Sequence, residues 1–151
     1  MANSDHLNQL QYGVEPWNRW RRSNSQCPEL QEADLSEARL VGIDLQEADL
    51  RRVILVDADL SYANLCKVDL TDAYLVGVNL SHANLSFANL QGAILIEAKL
   101  IGTSLRGANL QGADLSDVKV DNTSFVRANL RGTNLTGVEL DRVDLKRAVL
   151  K

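Results

Sequence analysis

The sequence predicts an all-β solenoid, a parallel β-helix entered through a short N-terminal α-helical cap. Three observations predict it. From Leu30 to Leu150, twenty-five positions follow one another at intervals of five without an insertion. Leucine fills twenty-three of them, and Val120 and Phe125 fill the others. Two residues earlier sits a small or β-branched residue, usually alanine, as at Ala33, Ala38, Ala48, Ala58 and Ala63. Eight of the nine glycines fall two residues after the leucine position, from Gly42 to Gly137. A shared phase this strict marks a repeat architecture.

An interval of five excludes the simpler structures. In an α-helix each step of five turns the side chain by about 140°, so the leucines would scatter over every side. In one flat strand they would alternate between faces. The conflict disappears if the chain bends once per repeat. The small residue and the leucine, two apart, then point the same way from a short extended segment. A corner consumes the remaining residues and resets the phase, and glycine suits a corner that needs positive φ. The Asp, Asn, Ser, Gln and Arg between these positions face water. A chain that bends and returns above itself pairs successive coils as parallel strands about 4.8 Å apart.

The spacing alone does not fix how many repeats make a turn. The segments ADLSEARL, ADLSYANL, ANLSFANL and ANLQGADL carry a small–Asp/Asn–Leu–x–x motif. The tract resembles the pentapeptide-repeat family, over about four-fifths of the chain. That resemblance implies a right-handed quadrilateral β-helix with four pentapeptides, or twenty residues, per coil. Twenty-five repeats then give about six coils and a rod roughly 30 Å long. On this register Leu110, Leu115, Val120 and Phe125 share one layer. The one undersized and the one oversized residue lie side by side there, as volume conservation in a tight core would ask.

The ends are read next. A stack of coils exposes core and unpaired strand unless it is capped. Residues 1–28 form the leader and cap, and residues 29–151 the β-helix. VEPWNRWRRSN, residues 14–24, reads as one helix: Pro16 at its first position, Trp17 and Trp20 three apart on one face, Arg21 and Arg22 at the favourable end of the dipole, and Asn24 ending it. Both tryptophans are expected over the first coil. GVEPWNRWR also resembles the lead-in of many cyanobacterial pentapeptide-repeat proteins. The C-terminus carries no comparable cap. Seven of its last thirteen residues are charged, which either blunts an open edge or leaves a surface where two copies meet end to end, as in some family members.

Composition narrows the function. The formal charge of −4 argues against a basic nucleic-acid binder, so no nucleic-acid contact is expected. Residues 29–75 hold eleven acids and four bases, whereas residues 76–151 hold seven acids and nine bases. No secretory signal and no membrane span are read, and the cytoplasm is the expected compartment. Cys27 and Cys66 fall two coils apart, roughly 10 Å, beyond disulfide reach, and are expected as free thiols. Catalysis needs convergent groups. The repeat sends its polar side chains outward, and His6 and His82 have no metal-ligand spacing with the cysteines. No enzyme activity, cofactor or metal is expected, unless a pocket opens between leader and first coil.

One positive signal appears when the outward residues are sorted by twenty. Ile54, Tyr74 and Ile94 form one column just before their leucines, and Val56, Val76 and Ile96 form the column just after. The coil before has Asp34 and Ser36 there, and the coil after has Asp114 and Ser116. Asp57 and Glu97 stand at the rim. This is roughly 300–500 Å² of bounded apolar surface, the size at which patches on soluble proteins often bind something. The competing account is that β-branched and aromatic residues simply suit strands. The reading is a non-catalytic scaffold that binds a protein partner, or a second copy of itself, through this face. The alternative is a DNA-mimicking modulator of a type II topoisomerase such as gyrase, which the resemblance suggests and the acidic early coils fit in part.

Overall fold

The computed structural model describes all 151 residues. From Glu29 onward the chain winds into a four-sided tube. Each residue just before a core leucine bridges, in parallel, the residue twenty places on: Glu29 with Asp49, Asp34 with Ile54, Arg39 with Asp59, Asp44 with Asn64. The circuit therefore closes after four pentapeptides. Its four faces are named by the leucines of the first coil: the first face carries Leu30, the second Leu35, the third Leu40 and the fourth Leu45. Each face pairs through a single bridge rather than a longer strand, because the corners take the residues on either side.

The corners share one geometry. The N–H of the small residue returns to the carbonyl of the leucine three residues back, as Ala93 does to Leu90 at 3.0 Å. The third residue of each such turn has positive φ, the sign pattern of a type II turn. Fifteen non-glycine residues, from Glu32 to Arg147, hold φ between 52 and 62° there. Positive φ alone therefore does not explain where the glycines fall. A second constraint acts at five of the eight corner glycines, whereas Gly42, Gly112 and Gly132 have no side chain within reach. At Gly77, Gly102 and Gly107 a Cβ would meet Asp57, His82 and Phe87 of the coil before at 2.2, 2.5 and 2.8 Å. Glycine makes room for a side chain that leans along the axis from the preceding corner.

Where an Asp or Asn stands before the core residue, at fourteen of the twenty-five positions, it closes the corner on its other side. Its Oδ1 accepts from the backbone N–H two residues on: Ser61 to Asp59 at 2.9 Å, Thr71 to Asp69 at 3.0 Å, Ser86 to Asn84 at 3.1 Å. These Asx turns offer the corner a local hydrogen bond that neither helix nor ladder supplies. On the first face the amides also bond from coil to coil, Asn109 to Asn89 at 3.1 Å and Asn129 to Asn109 at 3.0 Å.

Inside, the leucines and small residues form one cluster of 38 buried residues. Leu50, Leu85, Leu90 and Leu110 are fully enclosed. Thr103 and Thr123 enter the core because each hydroxyl donates to a leucine carbonyl, Leu80 at 2.7 Å and Leu100 at 2.6 Å. Phe125 is fully buried, while Val120 in the same layer is only half-buried. Directly beneath Val120 the regular winding fails. Leu140–Arg142 form a turn of 3-10 helix, Lys119 has no bridge to Glu139, and the Asn122 N–H reaches Arg142 O at 3.1 Å instead. The shorter valine gives Leu140 less to pack on. Leu135 and Leu145 are half-buried and Leu150 is 49 % exposed.

The N-terminal cap is two helices rather than one. Ser4–Gln11 (α1) is capped by Asn3, whose side chain accepts from the Asp5 and His6 N–H groups. Val14–Ser23 (α2) starts after Gly13, so Pro16 occupies its third position, not its first. Proline is tolerated there because the first four N–H groups of a helix have no internal partner. Asn24 ends α2 with extended backbone; its Nδ2 donates to Trp20 O at 2.8 Å.

Two outcomes follow from this packing. Leu90→Ala should lower the unfolding free energy by about 3 kcal/mol in denaturant melts. Leu150→Ala, half outside the core, should lower it by less than about 1 kcal/mol. Acid should also unfold the tube through its Asx turns. The Ser36 hydroxyl and N–H donate to Asp34, and those of Ser116 to Asp114, which holds both carboxylates below their ordinary 3.8. A depressed folded pKa contributes stability that is present above the unfolded value and lost as pH falls through the folded one. Asn134 shows that an amide accepts the same pair of bonds, from the Thr136 N–H and hydroxyl. Asp34→Asn with Asp114→Asn should therefore melt like wild type at pH 7 and lose less stability on acidification below about pH 4.

Candidate interaction face

The second face brings the six apolar residues of the sequence analysis together. The bridges run Asp34–Ile54, Ile54–Tyr74, Tyr74–Ile94 and Ile94–Asp114, so three apolar rungs sit between two acidic ones. The following column is held alongside by Asp57 N–H to Val76 O and Gly77 N–H to Ile96 O, both at 2.9 Å. Tyr74 is 48 % exposed; Ile54, Val56, Val76, Ile94 and Ile96 are half-buried in the wall.

This face departs from the rule of the corners. At its two ends the Asx turns are intact, Ser36 N–H to Asp34 at 3.1 Å and Ser116 N–H to Asp114 at 2.9 Å. Ile54, Tyr74 and Ile94 have no side-chain acceptor. The N–H groups of Val56, Val76 and Ile96 consequently have no protein partner. Giving up a hydrogen bond costs on the order of 1 kcal/mol. The acceptor is absent on three consecutive coils of this face and present on either side; it is absent also at Arg39, Lys99 and Lys119 on the third face and at Ser104 and Ser124 on the fourth, where the replacing residue is polar.

The cap holds the predicted tryptophans over the first coil. Trp17 is fully buried, and its indole N–H donates to Asp44 O at 2.8 Å. Trp20 packs beside it with ring centroids 5.1 Å apart. Two neighbours on α2 complete the seal. Asn18 donates to Gly42 O and accepts from the Asp44 N–H, and Arg21 donates to Gln26 O and Gln46 O. The sequence reading missed α1 and the role of His6. That side chain is buried, and its Nδ1 accepts from the Glu29 N–H at 3.0 Å. The signal was the Asn3 cap ahead of Leu7 and Leu10, three apart.

The cap satisfies the first coil on its first and fourth faces only. On the second and third faces the N–H and C=O groups of Asp34 and Arg39 have no partner. A groove of about 490 Å³ opens there between α1 and the coil, lined mainly by Leu7, Leu10, Leu35, Ala38 and Leu40. Its ionisable residues are Asp34 and Arg39, one acid and one base without a nucleophile between them. A pocket between leader and coil thus exists, with walls suited to apolar contact.

Two more features were overlooked because corners were not sorted by twenty. Tyr62 and His82 stack with centroids 5.0 Å apart and planes 16° apart. Phe87, 58 % exposed, lies over Gly107. Cys27 and Cys66 are both free. No helix is long and apolar enough to cross a membrane.

Comparison with known proteins places this architecture. The family model described as pentapeptide repeats matches in eight copies, over residues 29–65, 54–86, 73–112, 83–120 and 113–151. No curated protein matches the chain. Among solved structures, a pentapeptide repeat protein of the cyanobacterium Cyanothece is 30 % identical over 81 % of this chain and 87 % of its own, with a TM-score of 0.59. One from the Arabidopsis thaliana thylakoid lumen is 33 % identical over 59 % of this chain and 66 % of its own, with a TM-score of 0.50. HetL, a Nostoc pentapeptide repeat protein involved in heterocyst differentiation regulation, is 24 % identical over 100 % of this chain and 95 % of its own, with a TM-score of 0.45.

Replacing Trp17 tests how much the cap contributes. Trp17→Ala should cost about 3–5 kcal/mol in denaturant melts, and Trp17→Phe, which keeps the ring but loses the bond to Asp44, about 1–2 kcal/mol. With the repeat matched from residue 29 to the last residue and the coil closing every twenty residues, the chain belongs to the pentapeptide-repeat family and folds as its right-handed quadrilateral β-helix.

Proposed function

We propose that this protein is a non-catalytic scaffold that binds another protein through the second face. The observation that carries the reading is the block of Ile54, Tyr74 and Ile94 with Val56, Val76 and Ile96, where three consecutive coils exchange an Asx turn for apolar surface. The flat walls support it, since they converge no catalytic set of groups. We assign residues 1–28 the role of cap and residues 29–151 that of the binding rod. The two free thiols fit a reducing compartment such as the cytoplasm. The last coil, with Leu150 exposed and charges of both signs around it, is a second contact area suited to another copy end to end.

Modulation of a type II topoisomerase by duplex mimicry draws less support. Its motive was the acidity of the early coils, and three of those acids are already neutralised. Asp49 is held by Arg51 at 2.6 Å, Glu47 by Lys67 at 3.1 Å, and Glu32 by Arg52. A supercoiling assay at large molar excess tests it, and no effect removes it.

The main reading is tested with Ile54→Asp combined with Ile94→Lys. Asp34 and Lys99 occupy equivalent places before a leucine, so the wall accommodates both. The variant should keep its circular dichroism and melting temperature while losing a partner that the wild-type protein retains from native cell lysate. An unchanged set of retained proteins, with unchanged hydrodynamic mass, would show that the face is not an interface.

A further inference from the structure

We infer that the occupant of the second face is a basic amphipathic helix of a partner protein, and not a second copy of this chain; the inference rests on the reading of that face as an interface. The charge around the apolar block selects this occupant. The corner between the second and third faces carries Glu37, Asp57, Glu97 and Asp117 on four of the five coils from the first to the fifth, with Gly77 on the other. All four are exposed. Asp34 and Asp114 close the block above and below. None of these six carboxylates takes part in an ion pair. The opposite corner adds Asp72 and one base, Arg52, which Glu32 already holds. The other bases on the flanking walls of these five coils are Arg51, which Asp49 holds, on the first face and Arg39, Lys99 and Lys119, which stand before their leucines on the third face, round the corner.

An apolar strip framed by unpaired acids is complementary to an apolar stripe flanked by lysine or arginine. Antiparallel pairing of two copies sets the acidic corner against itself, parallel pairing sets Asp34 and Asp114 against their own counterparts, and like charges across an interface suppress that partner. An anionic lipid surface is repelled by the same groups. The dimensions fit a helix. The strip is one short extended segment wide, about 10 Å, and three coils tall, about 14 Å. An α-helix is about 10 Å across and rises 14 Å in about nine residues, so two to three turns laid along the rod axis cover the block. Knobs of Leu or Ile at i, i+3, i+4 and i+7 would meet Ile54, Tyr74 and Ile94, while the flanking cations reach Asp57 and Glu97.

The test uses the full chain and three fluorescent peptides of about 18 residues, titrated by anisotropy at low and at physiological salt. The first carries a leucine stripe flanked by lysines. The second has glutamate for every lysine. The third keeps the lysines and scrambles the stripe. The striped lysine peptide should bind at least about tenfold tighter than either control. It should weaken by about tenfold or more with Glu37→Gln, Asp57→Asn, Glu97→Gln and Asp117→Asn combined, and separately with Ile54→Ser and Ile94→Ser combined, both variants keeping wild-type circular dichroism. Equal binding of the lysine and glutamate peptides, abolished by the isoleucine substitutions, overturns the charge inference and leaves the interface standing. Equal binding of striped and scrambled lysine peptides, indifferent to those substitutions, overturns both. Binding of none of the three overturns the inference. Sedimentation showing a wild-type dimer that Ile94→Lys dissociates overturns it in favour of a second copy.

Discussion

The stacking of one leucine and one small side chain on every side of every coil is the constraint from which the rest of this molecule follows. The lumen is too narrow for a different choice: four leucines fill a layer, and the alanines let the walls approach closely enough to enclose them. Because close-packed interiors tolerate little change in volume, the period cannot slip. Once the inward pair is fixed, every other side chain is driven to the outside or to a corner. The walls are consequently flat and present columns of side chains at a repeat of twenty residues.

The corners show how such a tube is held without long strands. Each depends on a turn that forces one residue into the left-handed region, at a cost of roughly 1 kcal/mol for a residue that is not glycine. Fifteen non-glycine residues accept that conformation, since the ladder between coils holds the turn, helped at ten of them by the Asx bond before the leucine. At five corners glycine makes room for the side chain from the corner above, as for Phe87 over Gly107. On most of the wall the sequence obeys the fold. On the second face, Ile54, Tyr74 and Ile94 forgo the Asx acceptor over three coils, as Lys99 and Lys119 do over two on the third, and only on the second are three successive replacements apolar.

The two ends are treated differently. At the first coil, indole, amide, guanidinium and imidazole groups each take up a backbone group that the next coil would otherwise satisfy. They do so on two faces and leave Asp34 and Arg39 unpaired on the others. At the last coil the leucines are half-buried or exposed, and the ladder is already broken beneath Val120. A solenoid's ends are where its cooperativity is weakest, and here the undersized core residue sits directly above the interruption.

The sequence by itself determined the architecture, because the leucine period is a local statement repeated twenty-five times, and only a chain that bends once per pentapeptide can bury it. The composition of the second face followed once the family resemblance supplied four pentapeptides per turn, since sorting by twenty needs that number as well as the period. Trp17 and Trp20 were legible as a cap from their spacing and position. The tertiary structure decided what depends on neighbours from other coils. It decided that His6 accepts from Glu29, that glycines answer side chains twenty residues earlier, that Tyr62 stacks on His82, and that the winding falters at Leu140. It also decided that the acids round the second face stay unpaired while those at Glu32, Glu47 and Asp49 do not. Those facts turn on which side chains lean toward each other along the axis, and no single repeat, read alone, contains them.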